Sequence, residues 1–280
     1  MSNTHKLLEK RALVTGSGTG IGREIALEFA RQGADVVVHY VHAKEGAFSA
    51  VEEIRAMVRR SEAFQADFDR VEEAVKLGEQ AITFLGGIDC LVNNSVITFN
   101  KPFLEVTPEQ FDRLYHVNVR AQYFLTQCVA QDMLTHEGSA VCNISSIHGV
   151  SGAPEHSVYA GTKGALIAQT RSLAVEMAYQ GIRINAIAPG WVTVENYYKA
   201  IPGFNEEDAR KSAADKVPLG RSGDKVEIAR LAAFLCSDDA AFIIGPNIVA
   251  DGGTTALMSL ISDFRSKSTA SFGTGYVPGI

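Results

Sequence analysis

Thr15-Gly16-Ser17-Gly18-Thr19-Gly20-Ile21-Gly22 is the stretch whose reading decides the fold. It follows a short apolar run, Ala12–Thr15, and opens a segment with apolar residues at helical spacing, Gly22–Gln32. Glycines let the backbone turn tightly and approach a pyrophosphate, and a helix N-terminus offers free N–H groups to an anion. A glycine-rich turn alone is a weak signal; its place between a strand and a helix near the chain's start strengthens it. The stretch reads as a dinucleotide-binding turn, with Gly16, Ser17, Gly18, Thr19, Gly20, Ile21 and Gly22 as contacts.

The same alternation continues outward. Asp35–Tyr40, Ala63–Ala66, Ile88–Asn93, Ala140–Ile144, Ile182–Ile187 and Ile244–Ala250 are short, Val- and Ile-rich and read as buried strands. Between them Lys44–Arg59, Arg70–Phe84, Thr107–Thr135, Ser157–Tyr179 and Asp224–Cys236 carry helical spacing. Thr107 before Pro108 and Glu109, and Asp224 three residues ahead of Glu227, are helix-start signals. Such alternation predicts an α/β, doubly wound fold whose parallel sheet is flanked by helices on both faces. Ligands then sit beyond the carboxyl ends of the strands. Residues 1–253 form one domain in this reading. Val192–Val217 breaks the rhythm and is expected to be a lid; residues 254–280 form an extension, either disordered or docked on a partner subunit.

Composition narrows the function classes. The 280 residues carry 26 basic against 32 acidic side chains, and a net charge of −6 without a basic run argues against nucleic acid. No apolar run is long enough to span a membrane, and Met1 to Lys10 lacks a signal-peptide core. Cys90, Cys128, Cys142 and Cys236 lie far apart, which predicts reduced thiols in the cytoplasm and no metal site.

The end of the second strand bears on the nucleotide. His39-Tyr40-Val41-His42-Ala43-Lys44 has no carboxylate before Glu45, where an NAD site usually carries one for the ribose 2′-hydroxyl. His39, His42 and Lys44 would instead meet a 2′-phosphate. NADP(H) is favoured, with NAD(H) the alternative.

Tyr159-Ala160-Gly161-Thr162-Lys163 puts a phenol and an ammonium four apart on one helix face. Tyr40 and Lys44 make a second such pair that has no such company. Ser146 ends the fifth strand 13 residues before Tyr159, and Asn118 sits mid-helix, where Asn is intrinsically poor.

With these motifs the chain resembles the short-chain dehydrogenase/reductase family, in its short single-domain branch, over about residues 8–253. The motifs that match in order are TGSGTGIG, Asn93-Asn94, Asn118, Ser146, Tyr159 with Lys163, Pro189-Gly190 and Asp251-Gly252-Gly253. The resemblance implies a Rossmann fold with a seven-stranded parallel sheet, a nicotinamide cofactor and a homotetramer or homodimer. It places the serine at Ser146 rather than Ser145, an adenine contact at Asp67 beside Phe68, and further cofactor contacts at His39, Tyr40, Asn94, Ser95, Pro189, Gly190 and Val192. Two positions depart. Val96 stands where the family usually has Gly, and Val194 where it has Thr, with Thr193 one residue early. Val at position 96 forbids left-handed backbone angles, so a differently seated loop is expected.

The implied chemistry is hydride transfer between a nicotinamide and a carbonyl or secondary alcohol. Tyr159 is the acid or base, Lys163 lowers its pKa from a free value of about 10, Ser146 orients the substrate and Asn118 relays protons. His148, Glu155, His156, Trp191 and Tyr198, with Val150, Ser151 and Tyr197, would rim the pocket. This polar lining with aromatic walls suits a sugar, polyol or other oxygenated carbonyl. A 3-oxoacyl-thioester (acyl carrier protein) reductase and a non-catalytic dinucleotide sensor are the alternatives. The helices Thr107–Thr135 and Ser157–Tyr179 carry surplus apolar positions, expected to meet a second subunit.

Overall fold

A computed structural model describes residues 5–195 and 203–257. Seven parallel strands form one sheet in the order β3-β2-β1-β4-β5-β6-β7. They are β1 (Arg11–Val14), β2 (Asp35–Tyr40), β3 (Ser61–Gln65), β4 (Cys90–Asn93), β5 (Ser139–Ile144), β6 (Ile182–Pro189) and β7 (Asn247–Ala250). The order reverses between β1 and β4, and a crevice opens there beyond the strand ends. The expected doubly wound Rossmann fold is present.

Successive strand residues face opposite sides, and the two sides bury separate cores. Ala12, Val14, Val36 and Val38 pack under α1 (Gly20–Arg31), α2 (Lys44–Ala56) and, further along the sheet, α8 (Lys225–Cys236). Leu13, Val37, Leu91 and Val141 pack under α3 (Val71–Leu85), α5 (Ala121–Met133) and α6 (Ser157–Ala178). Because both faces are covered, the central strands are largely buried and apolar, which makes them legible as runs rather than alternations.

Several boundaries differ from expectation. Thr107–Thr135 is not one helix: α4 (Pro108–Tyr115) passes through a π-turn, His116–Arg120, into α5. Thr107 caps α4 in a reciprocal capping box with Gln110. The last strand begins at Asn247 rather than Ile244, because Gly245 takes φ 85° and Pro246 follows it. The charged run of the expected lid forms α7 (Glu206–Lys216), capped by Asn205, whose side chain accepts from the N–H groups of Glu207 and Asp208. Tyr197, Tyr198 and the tail from residue 258 onward lie outside the described residues. Among the described residues no helix is long and apolar enough to cross a membrane, and no three His, Cys, Asp or Glu side chains group as metal ligands.

Candidate active site

The glycine-rich turn joins β1 to α1 at the crevice. Gly16 and Gly20 take φ 63° and 60°, the left-handed region that favours glycine. A Cβ on Gly18 would stand 2.8 Å from the Ala43 carbonyl oxygen, and one on Gly22 2.4 Å from the Gly16 carbonyl oxygen. The turn therefore cannot carry side chains at these positions. Thr19 starts α1 without a side-chain cap and the first turn has no acidic residue; the carboxylate of Glu195, itself paired with Lys225, takes the Gly20 N–H, so this positive helix end already attracts an anionic group. These features fit a pyrophosphate.

Several residues expected at the cofactor brace the turn from inside. Asn94 donates from Nδ2 to the carbonyls of Thr15 (2.9 Å) and Gly16 (3.2 Å), while Thr15 Oγ1 accepts from the N–H groups of Asn94 and Ser95. Ser17 is fully buried and donates to the Val14 carbonyl at 2.6 Å.

The structure corrects the reading of His39, Tyr40 and Phe68. His39 is fully buried, and its Nδ1 accepts from the Gly16 N–H at 2.9 Å while Nε2 lies 2.9 Å from the Ala66 carbonyl. A carbonyl accepts only, so Nε2 carries the proton and the ring is neutral. Burial pushes its pKa down to about 4, and His39 offers no charge to a phosphate. Phe68 stacks on the His39 ring, and Tyr40 is buried against Phe48. Their side chains belong to the core because β2 lies inside the sheet. His42 and Lys44 remain exposed beyond β2; His42 shares a groove with the half-buried Asp67 and with Arg70.

Ser146, Tyr159 and Lys163 line one cavity of about 810 Å³, which also reaches Ile21, Asn94, Pro189, Gly190 and Val192. Ser146 lies just past β5; Tyr159 and Lys163 are one turn apart on α6. Gly149 lets these two elements meet, since a Cβ there would stand 2.9 Å from the Lys163 carbonyl carbon. Ser145 also lines this cavity but donates from Oγ to the Lys163 carbonyl at 3.1 Å, whereas among the described residues Ser146 Oγ only accepts, from the His148 N–H at 3.2 Å. Lys163 Nζ donates to the Ile144 carbonyl at 2.7 Å and stands 5.7 Å from the Tyr159 ring centroid. Burial lowers its pKa to about 7.

Asn118 does not reach the cavity. It occupies the π-turn, fully buried, and its amide exchanges hydrogen bonds with the Ile97 N–H (3.0 Å) and carbonyl (2.9 Å) and donates to Thr162 Oγ1 (3.2 Å). Its side chain ties the loop after β4 to α6. Gln122, four residues on, donates to the Ser95 carbonyl at 2.5 Å; its spacing from Asn118 was the available sequence signal. Val96 avoids a positive φ and lines the cavity. Val194 lines it too, while Thr193 turns away to Ser222 at 3.3 Å.

The rest of the wall is Thr98, Phe99, Asn100, Ile144, Ser145, Ile147, His148, His156, Trp191 and Phe204. Thr98, Phe99, Asn100 and Phe204 were not anticipated, because they lie in loops without periodicity. Glu155 is exposed and off the wall, at φ 64°; Tyr198 lies outside the described residues.

A family model described as enoyl-(acyl carrier protein) reductase matches residues 16–255. A hydroxynaphthalene reductase-like protein, Arp2, of Metarhizium robertsii is 40% identical over 256 residues, covering 89% of this chain and 96% of the relative. Versicolorin reductase 1 of Aspergillus parasiticus is 37% identical, covering 90% and 99%. A Burkholderia cenocepacia short chain dehydrogenase, solved in complex with NADP, superposes with a TM-score of 0.82 at 31% identity, covering 89% and 99%.

Proposed function

The chain belongs to the short-chain dehydrogenase/reductase family, and on that premise we propose that it uses NADPH to reduce a ketone on an oxygenated, ring-bearing substrate. The convergence of Ser146, Tyr159 and Lys163 on a cavity that adjoins the glycine-rich turn carries this reading. When bound, the dinucleotide supplies the hydride. Gly16, Gly18, Gly20 and Gly22 would hold its pyrophosphate against α1, with Pro189, Gly190 and Val192 on the nicotinamide side.

The chain's own residues handle the proton. Negative charge grows on the carbonyl oxygen as the carbon is reduced, so a donor must be aimed at it. Tyr159 would give that proton from its hydroxyl. Lys163, one turn along, favours the phenolate when charged and so eases the transfer. The Ser146 O–H, which has no acceptor among the described residues, would fix the substrate oxygen. Asn118 acts at one remove: its side chain holds the loop at Ile97, so a relay water would have to be anchored by main chain.

Flat apolar walls at Phe99, Ile147, Trp191 and Phe204, with the names of the two curated relatives, favour a hydroxylated aromatic ketone. The sugar or polyol reading stays second. It is favoured by a structural neighbour described as a putative 2-deoxy-D-gluconate 3-dehydrogenase of Agrobacterium tumefaciens with bound NADP. The acyl-thioester alternative has only the family model's description behind it. The segment 192–217 would act as a lid, since Val192, Val194 and Phe204 already wall the cavity. Buried Cys90, Cys142 and Cys236 thiols suit a reducing cytoplasm, which recovery of the protein from a secreted fraction would contradict.

The test is NADPH oxidation across hydroxylated naphthalenones, sugars, polyols and acyl thioesters. Tyr159→Phe should lower kcat by about 10²–10⁴ while leaving dinucleotide affinity intact. Turnover unchanged in that variant would falsify the mechanism.

A further inference from the structure

We propose that the stacked imidazoles of His148 and His156 recognise a second oxygen of the substrate, a phenolic or enolic hydroxyl beside the reacting carbonyl. The proposal rests on the reductase reading only for what Tyr159 contacts.

His148 lies in the turn after β5, and His156 immediately precedes α6. Their rings are 4.5 Å apart and 8° from parallel, and His148 meets the Tyr159 ring edge-to-face at 5.7 Å. Both line the cavity. A ligand whose oxygen reaches Tyr159 therefore presents its neighbouring substituent to this stack.

The hydrogen-bond inventory says what that substituent should be. His156 Nδ1 lies 2.7 Å from the Pro154 carbonyl, which accepts only, so Nδ1 holds the proton and Nε2 keeps a lone pair in the neutral ring. The ring nitrogens of His148 take no hydrogen bond from the described residues; only its main-chain N–H is engaged, at Ser146. Burial, and then the charge of His156, hold the His148 pKa below its ordinary value. Two cations at this spacing would repel. Near neutral pH His148 thus offers one donor and one acceptor, the pairing that a hydroxyl satisfies and a hydrocarbon edge leaves unmet.

The loop that presents His156 is held in place at a conformational cost. Glu155 takes φ 64°, a left-handed angle uncommon for a side-chain-bearing residue, and its carbonyl accepts from the Lys101 N–H at 3.0 Å. Strain of this kind persists where surroundings impose it, and it collects at ligand sites. A metal is not favoured, because parallel rings do not converge their lone pairs and no third ligand joins them among the described residues.

The experiment is calorimetric titration of the full chain saturated with NADP⁺. One probe is a tetralone carrying a phenolic hydroxyl peri to its carbonyl; the other is the same tetralone without it. The wild type should bind the hydroxylated probe about tenfold more tightly. His148→Phe keeps a flat ring on the stack and should bring the two probes to parity; His148→Gln, which retains a donor and an acceptor, should keep most of the preference. Equal binding by the wild type overturns the proposal even if a variant misfolds, and so does preference retained in His148→Phe with normal NADP⁺ affinity. Turnover of the same probes with NADPH is a separate readout: preference without turnover defeats the reductase reading and leaves the recognition by the stack standing.

Discussion

His39 lies flat against Phe68, ring centroids 4.6 Å apart and planes 13° from parallel, directly beneath the glycine-rich turn. The pair joins the ends of β2 and β3 to Gly16, so the cofactor turn is shaped by a neutral imidazole from inside the protein. The folded pKa of about 4 lies below the ordinary 6.5. Between those values the unfolded chain binds a proton that the folded chain does not, so stability falls as pH drops from about 6.5 to about 4. The loss should amount to roughly 3 kcal/mol at the lower end. His39→Phe keeps the stack but orphans two backbone partners, and should cost about 2 kcal/mol or more at pH 7 while flattening this pH dependence. Urea unfolding of both proteins across that range checks it; an identical slope in the variant would sink the assignment.

This residue also shows where the sequence stopped being informative. The glycine turn, the apolar runs and the Tyr159–Lys163 spacing are local patterns set by backbone sterics and helix geometry, and each was legible. His39 read as a surface cation because His42 and Lys44 follow it. Its burial depends on β3 pairing outside β2, a contact between distant segments. Asn118, poor in helix propensity, reads in the sequence as a functional residue within one helix, Thr107–Thr135; the π-turn that breaks this helix depends on Ile97 and Thr162. Phe99 and Phe204 come from irregular loops, where no periodicity marks a wall.

Ser145 and Ser146 should separate cleanly. Ser145→Ala loses the bond to the Lys163 carbonyl and should cost about 1 kcal/mol of stability with modest loss of activity. Ser146→Ala should melt like the wild type and lose about 100-fold in kcat. Steady-state kinetics beside thermal melts decides, and the reverse pattern would move the substrate-orienting role to Ser145.

Lys163 trades stability for chemistry. Burial lowers its folded pKa from 10.5 to about 7. Between these values the unfolded chain holds the extra proton, so folding stability rises with pH through that window. Lys163→Met removes the buried ammonium and should stabilise the protein by about 1–3 kcal/mol at pH 7, after allowing for the orphaned Ile144 carbonyl. The gain should shrink toward pH 10, and activity should fall at least about 100-fold throughout. Denaturation at neutral and alkaline pH, paired with NADPH oxidation, measures both; a destabilised variant at pH 7 would contradict the burial cost.

With His39 removed from the argument, preference for a 2′-phosphate rests on His42 and Lys44. Both are exposed just beyond β2, at the start of α2. Replacing them together, His42→Asp with Lys44→Glu, places like charge against the phosphate. kcat/KM with NADPH should fall about tenfold or more, with that for NADH little changed. Parallel loss with both nucleotides would mean that the substitutions disturb the turn rather than the phosphate.

Two groups among the exposed apolar side chains of the described surface lie where a second subunit could cover them. Phe111, Tyr123 and Phe124 lie on α4 and α5, with Val175 and Tyr179 at the end of α6. Phe242, Ile244 and Val249 lie beside and on β7, the edge strand of the sheet. Edge strands and wide apolar patches are rarely left open in water. Were each patch to pair with its own copy, the two kinds of two-fold contact would close as a tetramer. The wild type should therefore sediment as a tetramer at micromolar concentration. Phe124→Glu and Phe242→Glu should each reduce it to a dimer, and the double variant to a monomer, because a buried unpaired carboxylate opposes either contact. A monomeric wild type would refute the assembly, and a dimer unaffected by Phe242→Glu would assign all of the contact to the α4 and α5 face.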